Sequence, residues 1–366
     1  MRRILLVAVL VGLLIPALPA GAQMITAAAV KTNLDFPAAF ALSSTGTIYY
    51  AERFTGEIRA YDPVSRSDTH VFTVRNVLTE GERGLLGLAL HPQFTSGQAY
   101  IYAYATRRVG GRIRNSPKNQ ILRIEIRTLQ SPAASVIFTS NVRPAQAHNG
   151  GIIHFGPDGR LYAQIGDATN PANAQNLAVT AGKFVRMTAT GAVPADNPFV
   201  GTTGANGYVY SFGFRNGYGF AFDPQTGNLF DSQNGPNCND ELNRVVAAGN
   251  YAWGPNQTCS GTAPQNTNQD GPLPRILPLA FYNPTTAPAG AVFCASCGLT
   301  GSEGHLFLGE FNTGRVREIV LTADRLGVAS QAVIYDHPRG ILSLERGPDG
   351  TIYFSDSGGI YKLIRQ

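Results

Sequence analysis

The chain has 366 residues, of which 14% are charged and 43% are hydrophobic, and its formal net charge is +5. Its Lys and Arg residues are scattered without a dense basic run, which argues against a nucleic-acid partner. The 41 glycines and the many Tyr and Phe residues favour short strands joined by tight turns over helices, which would need more Lys, Glu and Leu. The composition therefore predicts an all-β globular protein.

The N-terminus has the pattern of a secretory signal peptide. Two arginines at positions 2–3 precede an apolar stretch at 4–18, and Ala-Gly-Ala at 20–22 supplies the small residues of a cleavage site. A membrane anchor is the alternative, but about 15 apolar residues are fewer than the roughly 20 that a spanning helix needs. No later segment is apolar enough to span, and no Cys follows the cleavage region to carry a lipid. We therefore expect a signal peptide at 1–22 and a single domain at 23–366, periplasmic or secreted and without a membrane anchor.

A turn, a strand of alternating apolar residues and an acidic residue recur along the chain. Copies occur at 45–52, 97–104, 157–167, 226–231, 304–310 and 348–356. Turn residues that flank period-two strands indicate β-hairpins. Six units would have roughly 57 residues each, which suits four-stranded antiparallel blades, so the sequence predicts an all-β, six-bladed β-propeller. The predicted blades are 36–62, 83–128, 148–190, 208–247, 250–321 and 331–366. A β-sandwich or a pair of β-domains is the alternative, although no linker-like segment supports it.

The four cysteines are expected to form disulfides, because an even count in an exported chain favours them. Three pairings are possible, and we favour Cys238–Cys259 with Cys294–Cys297, since each pair closes a short loop. The alternative for Cys294 and Cys297 is a redox or metal pair. The sequence gives this alternative neither a helical context nor a second motif of the same kind.

Three polar clusters interrupt the hairpin pattern and would meet at the mouth of a propeller channel, where the loops between blades converge. His148 has a side chain whose proton exchanges near neutral pH, and the glycines after it would let a flat ligand approach. Asp167 could fix the tautomer of a histidine, and Arg215 could hold a developing oxyanion. The structural alternatives are a turn cap for His148, a blade-closing turn for Asp167 and a loop-tying role for Arg215.

The same clusters carry a family resemblance that covers nearly all of the chain after the signal peptide. Its motifs are Gly84-Leu85-Leu86-Gly87 with His91-Pro92, His148 with Gly150-Gly151, Gly166-Asp167, Arg215-Asn216, and Asp240-Glu241 with Asn243 and Asn250-Tyr251. In this order they resemble the soluble glucose/sorbosone dehydrogenase family. The resemblance implies a six-bladed propeller that oxidises an aldose sugar, with pyrroloquinoline quinone and calcium as cofactors.

The resemblance also implies catalytic roles. His148 would be the general base that takes the proton from the sugar C1 hydroxyl as hydride passes to C5 of the quinone. Asp167 would bond the far ring nitrogen and keep His148 aimed. Arg215, with Asn216 beside it, would steady the reduced quinone oxygen.

Two calcium sites follow from the same resemblance. The backbone carbonyls of Gly235 and Pro236 would bind the ion that polarises the cofactor, and oxygen donors are what this hard cation prefers. Asp240, Glu241 and Tyr251 match a second, structural calcium site. Glu241 could alternatively form only a salt bridge within its loop.

The chain departs from the family pattern at several positions. Glu82 stands where the best-known glucose-oxidising members carry Gln, and Ala147 precedes the base where they carry Asp. Asn312 or Thr313 replaces a Lys that contacts a cofactor carboxylate, and only Arg339 is evident of a paired Arg motif. Because the quinone carries three carboxylates, the loss of two cations predicts weaker cofactor binding. The predicted cofactor-binding residues are Glu82, His148, Arg215, Asn216, Asn234, Asn312 and Arg339.

Other residues of the motifs have structural interpretations. Arg315, Arg317 or Lys183 could compensate for the missing cations. His91 is interpreted as a turn residue. Trp253, the single Trp, is interpreted as packing between blades rather than stacking on the cofactor.

The sequence therefore predicts an exported quinone-dependent dehydrogenase that oxidises an aldose to its lactone, acts as a monomer or homodimer and passes electrons to an acceptor left open. The alternative is a propeller that keeps the calcium sites but binds carbohydrate or protein without redox chemistry, and the missing cations favour it. A lactone hydrolase is weaker, because no cluster of carboxylate and Asn ligands for a channel site is found. The segment 255–300 is expected to set the sugar preference.

Overall fold

The computed structural model describes residues 24–110, 116–126, 132–255, 259 and 274–365. The predicted signal peptide at 1–22 lies outside the described residues, as do residues 256–258 and 260–273 of the segment 255–300 that is expected to set the sugar preference. The regular secondary structure of the described chain is almost all strand, with one short helix, α1 (Ala172–Gln175), and one 3₁₀ turn at Phe94–Ser96. The predicted all-β class is confirmed.

The strands pair into antiparallel ladders of four. After β1 (Ile25–Thr32), the first ladder is β2 (Pro37–Leu42), β3 (Ile48–Glu52), β4 (Glu57–Tyr61) and β5 (Asp68–Thr73), and the second is β6 (Leu85–Leu90), β7 (Tyr100–Val109), β8 (Ser116–Glu125) and β9 (Ala133–Thr139). The third is β10 (Ile153–Phe155), β11 (Leu161–Ile165), β12 (Lys183–Met187) and β13 (Val209–Phe212), and the fourth is β14 (Gly217–Phe222), β15 (Leu229–Gln233), β16 (Asp240–Val245) and β17 (Ala280–Tyr282). The fifth is β18 (Pro288–Phe293), β19 (Leu306–Glu310), β20 (Arg315–Leu321) and β21 (Val328–Asp336), and the last is β22 (Ser343–Arg346), β23 (Ile352–Ser355), β24 (Gly359–Arg365) and the N-terminal β1.

This propeller-like arrangement of four-stranded sheets confirms the predicted architecture. One parallel pairing, between Tyr218 and Ala289, joins the fourth and fifth ladders into an eight-stranded sheet. The number of blades therefore stays a prediction. β1 pairs antiparallel with β24, so the first and last described strands lie in the same sheet.

The cores lie between successive ladders, and β7 shows how the sequence produces them. Successive side chains of a strand point to opposite faces of its sheet. Ile101 and Ala103 accordingly pack in the core shared with the first ladder, whereas Tyr102 and Tyr104 pack against β11 and β12 of the third. All four side chains are fully buried. Both faces of the ladder are therefore apolar, and each neighbouring ladder covers one of them.

The predicted blade bounds are wrong in a consistent way, because each of the first five blades ends one strand too early. Strands β5, β9, β13, β17 and β21 lie beyond the predicted ends at 62, 128, 190, 247 and 321. These strands are the outer edges of their ladders. Two of them, β9 and β21, are mostly exposed, so they lack the apolar alternation that identifies a half-buried strand.

Both predicted disulfides are present, Cys238–Cys259 and Cys294–Cys297. All four cysteines are described, and none is free. Cys294 and Cys297 are thus a structural pair here rather than a metal or dithiol site. Among the described residues, no helix has the length and apolar character required to cross a bilayer.

Candidate active site

A cavity of about 400 Å³ lies where the first strands of the ladders converge, a volume in the range of small-molecule sites. Each ladder contributes a residue from its first strand or directly before it, namely Ala38, Leu86, Ile152, Tyr218, Ala289 and Leu342. Nine predicted site residues also line the cavity: Glu82, His148, Arg215, Asn216, Asn234, Gly235, Pro236, Asp240 and Asn312. The structure therefore brings most of the predicted cofactor-binding set together.

His148 is held at the cavity wall from several sides. Its backbone N–H donates to Glu82 Oε2 at 2.7 Å, and its carbonyl accepts the N–H of Ala168 at 3.1 Å. Its φ of 58° lies in the left-handed region that residues other than glycine rarely adopt. Such a conformation persists only where the surroundings fix it, so His148 has one imposed orientation.

Asp167 is fully buried behind His148. Its Oδ1 lies 2.7 Å from His148 Nδ1 and accepts the N–H of Thr169 at 2.8 Å, while Oδ2 accepts Nε1–H of Trp253 at 2.8 Å. Asn173 Nδ2 donates to the backbone carbonyl of Asp167 at 2.8 Å. A carboxylate on Nδ1 leaves Nε2 of the neutral ring as the proton acceptor and stabilises the ring once it is protonated. The pair can therefore act as a general base.

Glu82 ties three parts of the cavity wall together. Besides the N–H of His148, its Oε2 accepts Nδ2–H of Asn216 at 3.1 Å and the hydroxyl of Tyr218 at 2.5 Å. Burial and the nearby Glu82 carboxylate raise the pKa of Tyr218 well above its usual range, so this hydroxyl stays protonated and donates. Glu82 thus acts as an acceptor that fixes the wall, and it also faces the cavity.

Arg215 is the predicted cation of the site, and the structure orients it. Its Nη1 donates to the carbonyl of Asn234 at 2.8 Å, and its guanidinium lies 5.5 Å from the ring centroid of Trp253. Burial lowers the pKa of Arg215, and the carboxylates of Asp167 and Glu82 oppose that effect. Arg215 therefore presents a fixed positive charge at the cavity.

The turn before β16 offers oxygen donors to the same cavity. Asp240 Oδ1 accepts the N–H of Gly235 at 2.7 Å, and Oδ2 accepts the N–H groups of Thr286 and Ala287 at 2.6 and 2.7 Å. Within the described residues, no hydrogen bond reaches the carbonyl oxygens of Gly235 and Pro236, and both residues line the cavity. Uncommitted carbonyl oxygens fit the ligand chemistry of Ca²⁺.

The residues predicted for a second calcium site are separated by the geometry of β16. Asp240 and Glu241 are successive strand residues and point to opposite faces. Asp240 lines the main cavity, whereas Glu241 and Tyr251 line a separate cavity of about 10 Å³. The Tyr251 hydroxyl donates to the carbonyl of Arg244 at 2.6 Å and accepts the N–H of Val246 at 2.9 Å. Only Glu241 and Tyr251 are thus placed to share a site.

Two residues that the sequence analysis did not predict as calcium ligands add oxygen atoms near Glu241. Asp231 and Asn243 are cross-strand partners in β15 and β16, and the Oδ1 atom of each is buried without a hydrogen-bond partner among the described residues. Burial, with the Glu241 carboxylate nearby, raises the pKa of Asp231 well above its usual range. The described chain has no group of three His, Cys, Asp or Glu side chains suited to a metal. A cation there would therefore need amide and carbonyl oxygens as well as the two carboxylates.

The other cations considered from the sequence lie outside the cavity. Arg339 has a 58% exposed side chain, 3.7 Å from the carboxylate of Asp356. Arg315 and Arg317 form ion pairs with other carboxylates at 3.0 and 2.7 Å. Lys183 is fully buried, and its Nζ donates to three backbone carbonyls at 2.6–3.0 Å. None of these four lines the cavity, so none is placed to bind a ligand within it.

Sequence reasoning missed three features of the site. Arg53 follows an ordinary hairpin strand, and no local pattern distinguishes it. Tyr218 lies two residues after Asn216 of the Arg215-Asn216 motif, and this closeness to the motif could have indicated that Tyr218 belongs to the site. The interpretation of Trp253 as packing between blades is incomplete, because its Nε1 bonds the buried carboxylate behind the base.

Comparison with known proteins is consistent with this site. The Glucose / Sorbosone dehydrogenase family model matches residues 34–365. Quinoprotein glucose dehydrogenase B of Acinetobacter calcoaceticus is 31% identical over 251 residues, which cover 61% of this chain and 51% of that protein, so the chain spans about half its length. Aldose sugar dehydrogenase YliI of Escherichia coli is 26% identical over 365 residues, which cover 95% of both chains. The solved structure of the PQQ-bound aldose sugar dehydrogenase of Streptomyces coelicolor is 25% identical, with a TM-score of 0.76 over 95% of this chain and 99% of that one.

The fold, the cavity and these relatives define an oxidoreductase of the soluble sugar dehydrogenase class. Within that class, the chain belongs to the glucose/sorbosone dehydrogenase family. The matched region includes the whole cavity wall, from Phe36 to Leu342.

Proposed function

We propose that the protein is an exported, quinone-dependent dehydrogenase that oxidises an aldose at C1 to the lactone. The observation that carries this proposal is the contact of 2.7 Å between His148 Nδ1 and the carboxylate of the buried Asp167. His148 also lines the cavity. Oxidation of a C1 hydroxyl requires removal of its proton as hydride leaves the carbon. A neutral histidine backed by a carboxylate supplies that base near neutral pH.

Each further residue has a task in this reaction. Nε2 of His148 accepts the hydroxyl proton, and Asp167 stabilises the resulting imidazolium. Arg215 stabilises negative charge that develops on an oxygen in the cavity, with Asn216 held beside it by Glu82. The imposed backbone of His148 keeps its ring in place between turnovers.

Pyrroloquinoline quinone would supply the hydride acceptor. The residues present fit an anionic, oxygen-rich ligand: Arg215 offers charge, and Asn216, Asn234 and Asn312 offer amides at the wall. The carbonyls of Gly235 and Pro236 would hold a calcium ion against it. Glu241 and Tyr251, with Asp231 and Asn243 nearby, would hold a second, structural calcium ion.

We infer a periplasmic or secreted location. Both disulfides require an oxidising compartment, and the first 22 residues have the composition of a secretory signal. Expression with this leader, followed by N-terminal sequencing of the exported protein, tests the inference. We expect cleavage after Ala22, and retention of the full leader in the cytoplasmic fraction would contradict it.

The function is tested with apoprotein loaded with pyrroloquinoline quinone and Ca²⁺. We expect aldose-dependent reduction of an artificial electron acceptor and release of the lactone. His148→Ala should reduce the rate at least about 100-fold, whereas His70→Ala, at an exposed position outside the cavity, should not change it. No turnover across a broad aldose panel, with His148→Ala equal to wild type, would instead favour a propeller that binds ligands without redox chemistry.

A further inference from the structure

The cavity contains a second guanidinium that no motif accounts for. Arg53 lies directly after β3 and lines the cavity. Its Nε donates to the carbonyl of Arg83 at 3.1 Å, and its Nη2 donates to the carbonyl of Gly81. Its guanidinium also lies 4.9 Å from the ring centroid of Phe36 and 4.8 Å from that of Phe54. Two backbone bonds and two aromatic rings therefore fix its direction.

Arg53 and Arg215 are the cations among the described residues that line the cavity. The family pattern leads one to expect a Lys near position 312 and a second Arg near 341, but Asn312 and Ile341 occupy these places. Arg339 is directed toward Asp356 and is largely exposed. The positive charge that binds a cofactor with three carboxylates must therefore come from other residues of this chain.

Arg53 has the unused bonding capacity for that role. A guanidinium has five N–H groups in a rigid fork, and two of those of Arg53 are committed to backbone carbonyls. Glu82, one of the two acidic side chains that line the cavity, attracts the charge of Arg53, but its Oε2 already accepts three hydrogen bonds. Among the described residues, the remaining N–H groups of Arg53 have no hydrogen-bond acceptor. A partly buried cation in this state favours an anionic ligand, and carboxylates match its fork geometry.

We propose that Arg53 binds a carboxylate of the quinone cofactor and, together with Arg215, supplies the positive charge expected from the replaced Lys and Arg. This inference rests on the proposed function and identifies how this chain holds its cofactor. It also explains the aromatic pair: Phe36 and Phe54 orient the guanidinium before the ligand arrives, which reduces the entropy lost on binding.

The test compares two ligands on the apoprotein with Ca²⁺: pyrroloquinoline quinone and its trimethyl ester, which lacks the three charges. Equilibrium titrations followed by absorbance give the dissociation constants, without turnover. Arg53→Gln should weaken binding of the free acid about 10- to 100-fold, as expected for loss of a charge-assisted bond, and change binding of the ester less than about threefold. Arg53→Lys should lie between Arg53→Gln and wild type. Arg339→Gln, the matched loss of an Arg outside the cavity, should equal wild type.

Several results would overturn the inference. If Arg53→Gln weakens both ligands equally, or lowers Tm enough to account for the loss, Arg53 only supports the loop. If Arg53→Gln binds the free acid as wild type does and Arg339→Gln is impaired, the cofactor cation is Arg339. If wild type binds neither ligand, the proposed function itself fails and the inference fails with it. Should Arg53→Gln not fold, the ratio of free-acid to ester affinity in Arg53→Lys decides, and an unchanged ratio rejects the proposal.

Discussion

His148 occupies a backbone conformation that its own side chain disfavours, and the neighbouring residues explain why it persists. Its φ is 58°, and Gly150 and Gly151 after it are also at positive φ. The Gly150 N–H donates to Asn216 Oδ1 at 3.0 Å. A Cβ on Gly151 would lie 2.6 Å from the Cβ of Leu86, so only glycine fits there. The glycines thus let the loop pack closely. Hydrogen bonds to Glu82 and Asn216, which precede two other ladders, fix the backbone at His148 and Gly150.

Asp167→Asn is expected to lower kcat about 10²- to 10⁴-fold. It should also lower the free energy of unfolding by about 1–3 kcal/mol, because the new amide nitrogen must face either the N–H of Thr169 or the Nε1–H of Trp253. The amide can still bond Nδ1 of His148, but by donating its N–H it favours the tautomer whose proton is on Nε2, which cannot accept another. It also cannot stabilise the protonated ring. Steady-state kinetics of the loaded protein, with urea unfolding as the stability control, measure both effects. An unchanged kcat would show that Asp167 does not act through His148.

Trp253→Phe tests the other bond to the same carboxylate. Phe keeps most of the ring, but leaves Asp167 Oδ2 without the donor that now lies 2.8 Å away. A buried oxygen left unsatisfied costs about 1–3 kcal/mol, so the free energy of unfolding should fall by that amount and kcat should fall with it. Tyr282→Phe is the matched control, because the Tyr282 hydroxyl is buried with no partner among the described residues. Equal effects of the two variants would mean that Trp253 contributes packing alone.

At the scale of elements, inner strands were predictable and outer strands were not. The copy of the recurring hairpin pattern at 45–52 contains β3, and the copy at 157–167 contains β11, where every residue is buried. In β21 the residues are intermediate or exposed throughout, so its sequence carries no apolar period. β1 is almost as weakly buried, and its partner β24 is more than 300 residues away in the chain. Local patterns detect strands between two cores, whereas edge strands are defined by their partners.

The residues of the candidate site likewise divide into those that local sequence patterns predict and those that they do not. His148 and Asp167 stand in motifs whose spacing is visible in the sequence, and the structure places them in contact. Arg53 enters the cavity because Gly84 lets the chain approach its side chain closely, and a Cβ at Gly84 would lie 2.4 Å from Arg53 Cγ. Such an approach between two ladders leaves no trace in either local sequence. Asp240 and Glu241 illustrate the converse. The sequence analysis assigned both to one calcium site, although the alternation of side chains along a strand places successive residues on opposite faces.

Lys183, at the start of β12, connects β12 to α1, and its burial leads us to expect that the free energy of unfolding depends on pH. Its Nζ donates to the carbonyls of Asn173 and Ala174 within α1 and to that of Ala181. Burial lowers the pKa of Lys183 to about 7, from 10.5. Between these values the unfolded chain binds more protons than the folded one, so this group makes the free energy of unfolding rise with pH from about 7 to 10.5.

The expected result is a pH-dependent difference between wild type and Lys183→Met. Relative to the variant, wild type should gain up to about 1.4 kcal/mol of unfolding free energy per pH unit above pH 7. Urea unfolding of both proteins at several pH values from 7 to 9.5 measures the difference, and Arg315→Met, at an exposed ion pair, serves as the control. A difference that stays constant with pH would mean that the amine remains protonated among its three carbonyls.

At the scale of the whole molecule, β1 holds the first and last ladders together. Seven of its residues, between Ile25 and Thr32, pair with β24. Val30 packs with Phe40 and Tyr50 of the first ladder, and Lys31 Nζ lies 2.8 Å from Asp68 of β5. One strand therefore completes the last sheet and contacts the first, which closes the arrangement without a covalent link.

Removal of residues 24–32 should consequently destabilise the entire fold rather than one end of it. The seven lost cross-strand pairs contribute roughly 0.2–1 kcal/mol each, and the exposed edge of β24 would favour association with other chains. Thermal unfolding and light scattering measure the two effects, and we expect one cooperative transition at lower Tm together with concentration-dependent aggregation. Lys31→Gln isolates the ion pair and should cost less than about 1 kcal/mol, because both groups are partly exposed. If the truncated protein instead melted at the wild-type temperature, closure by β1 would not be what holds the ladders together, and the contacts between successive ladders would suffice.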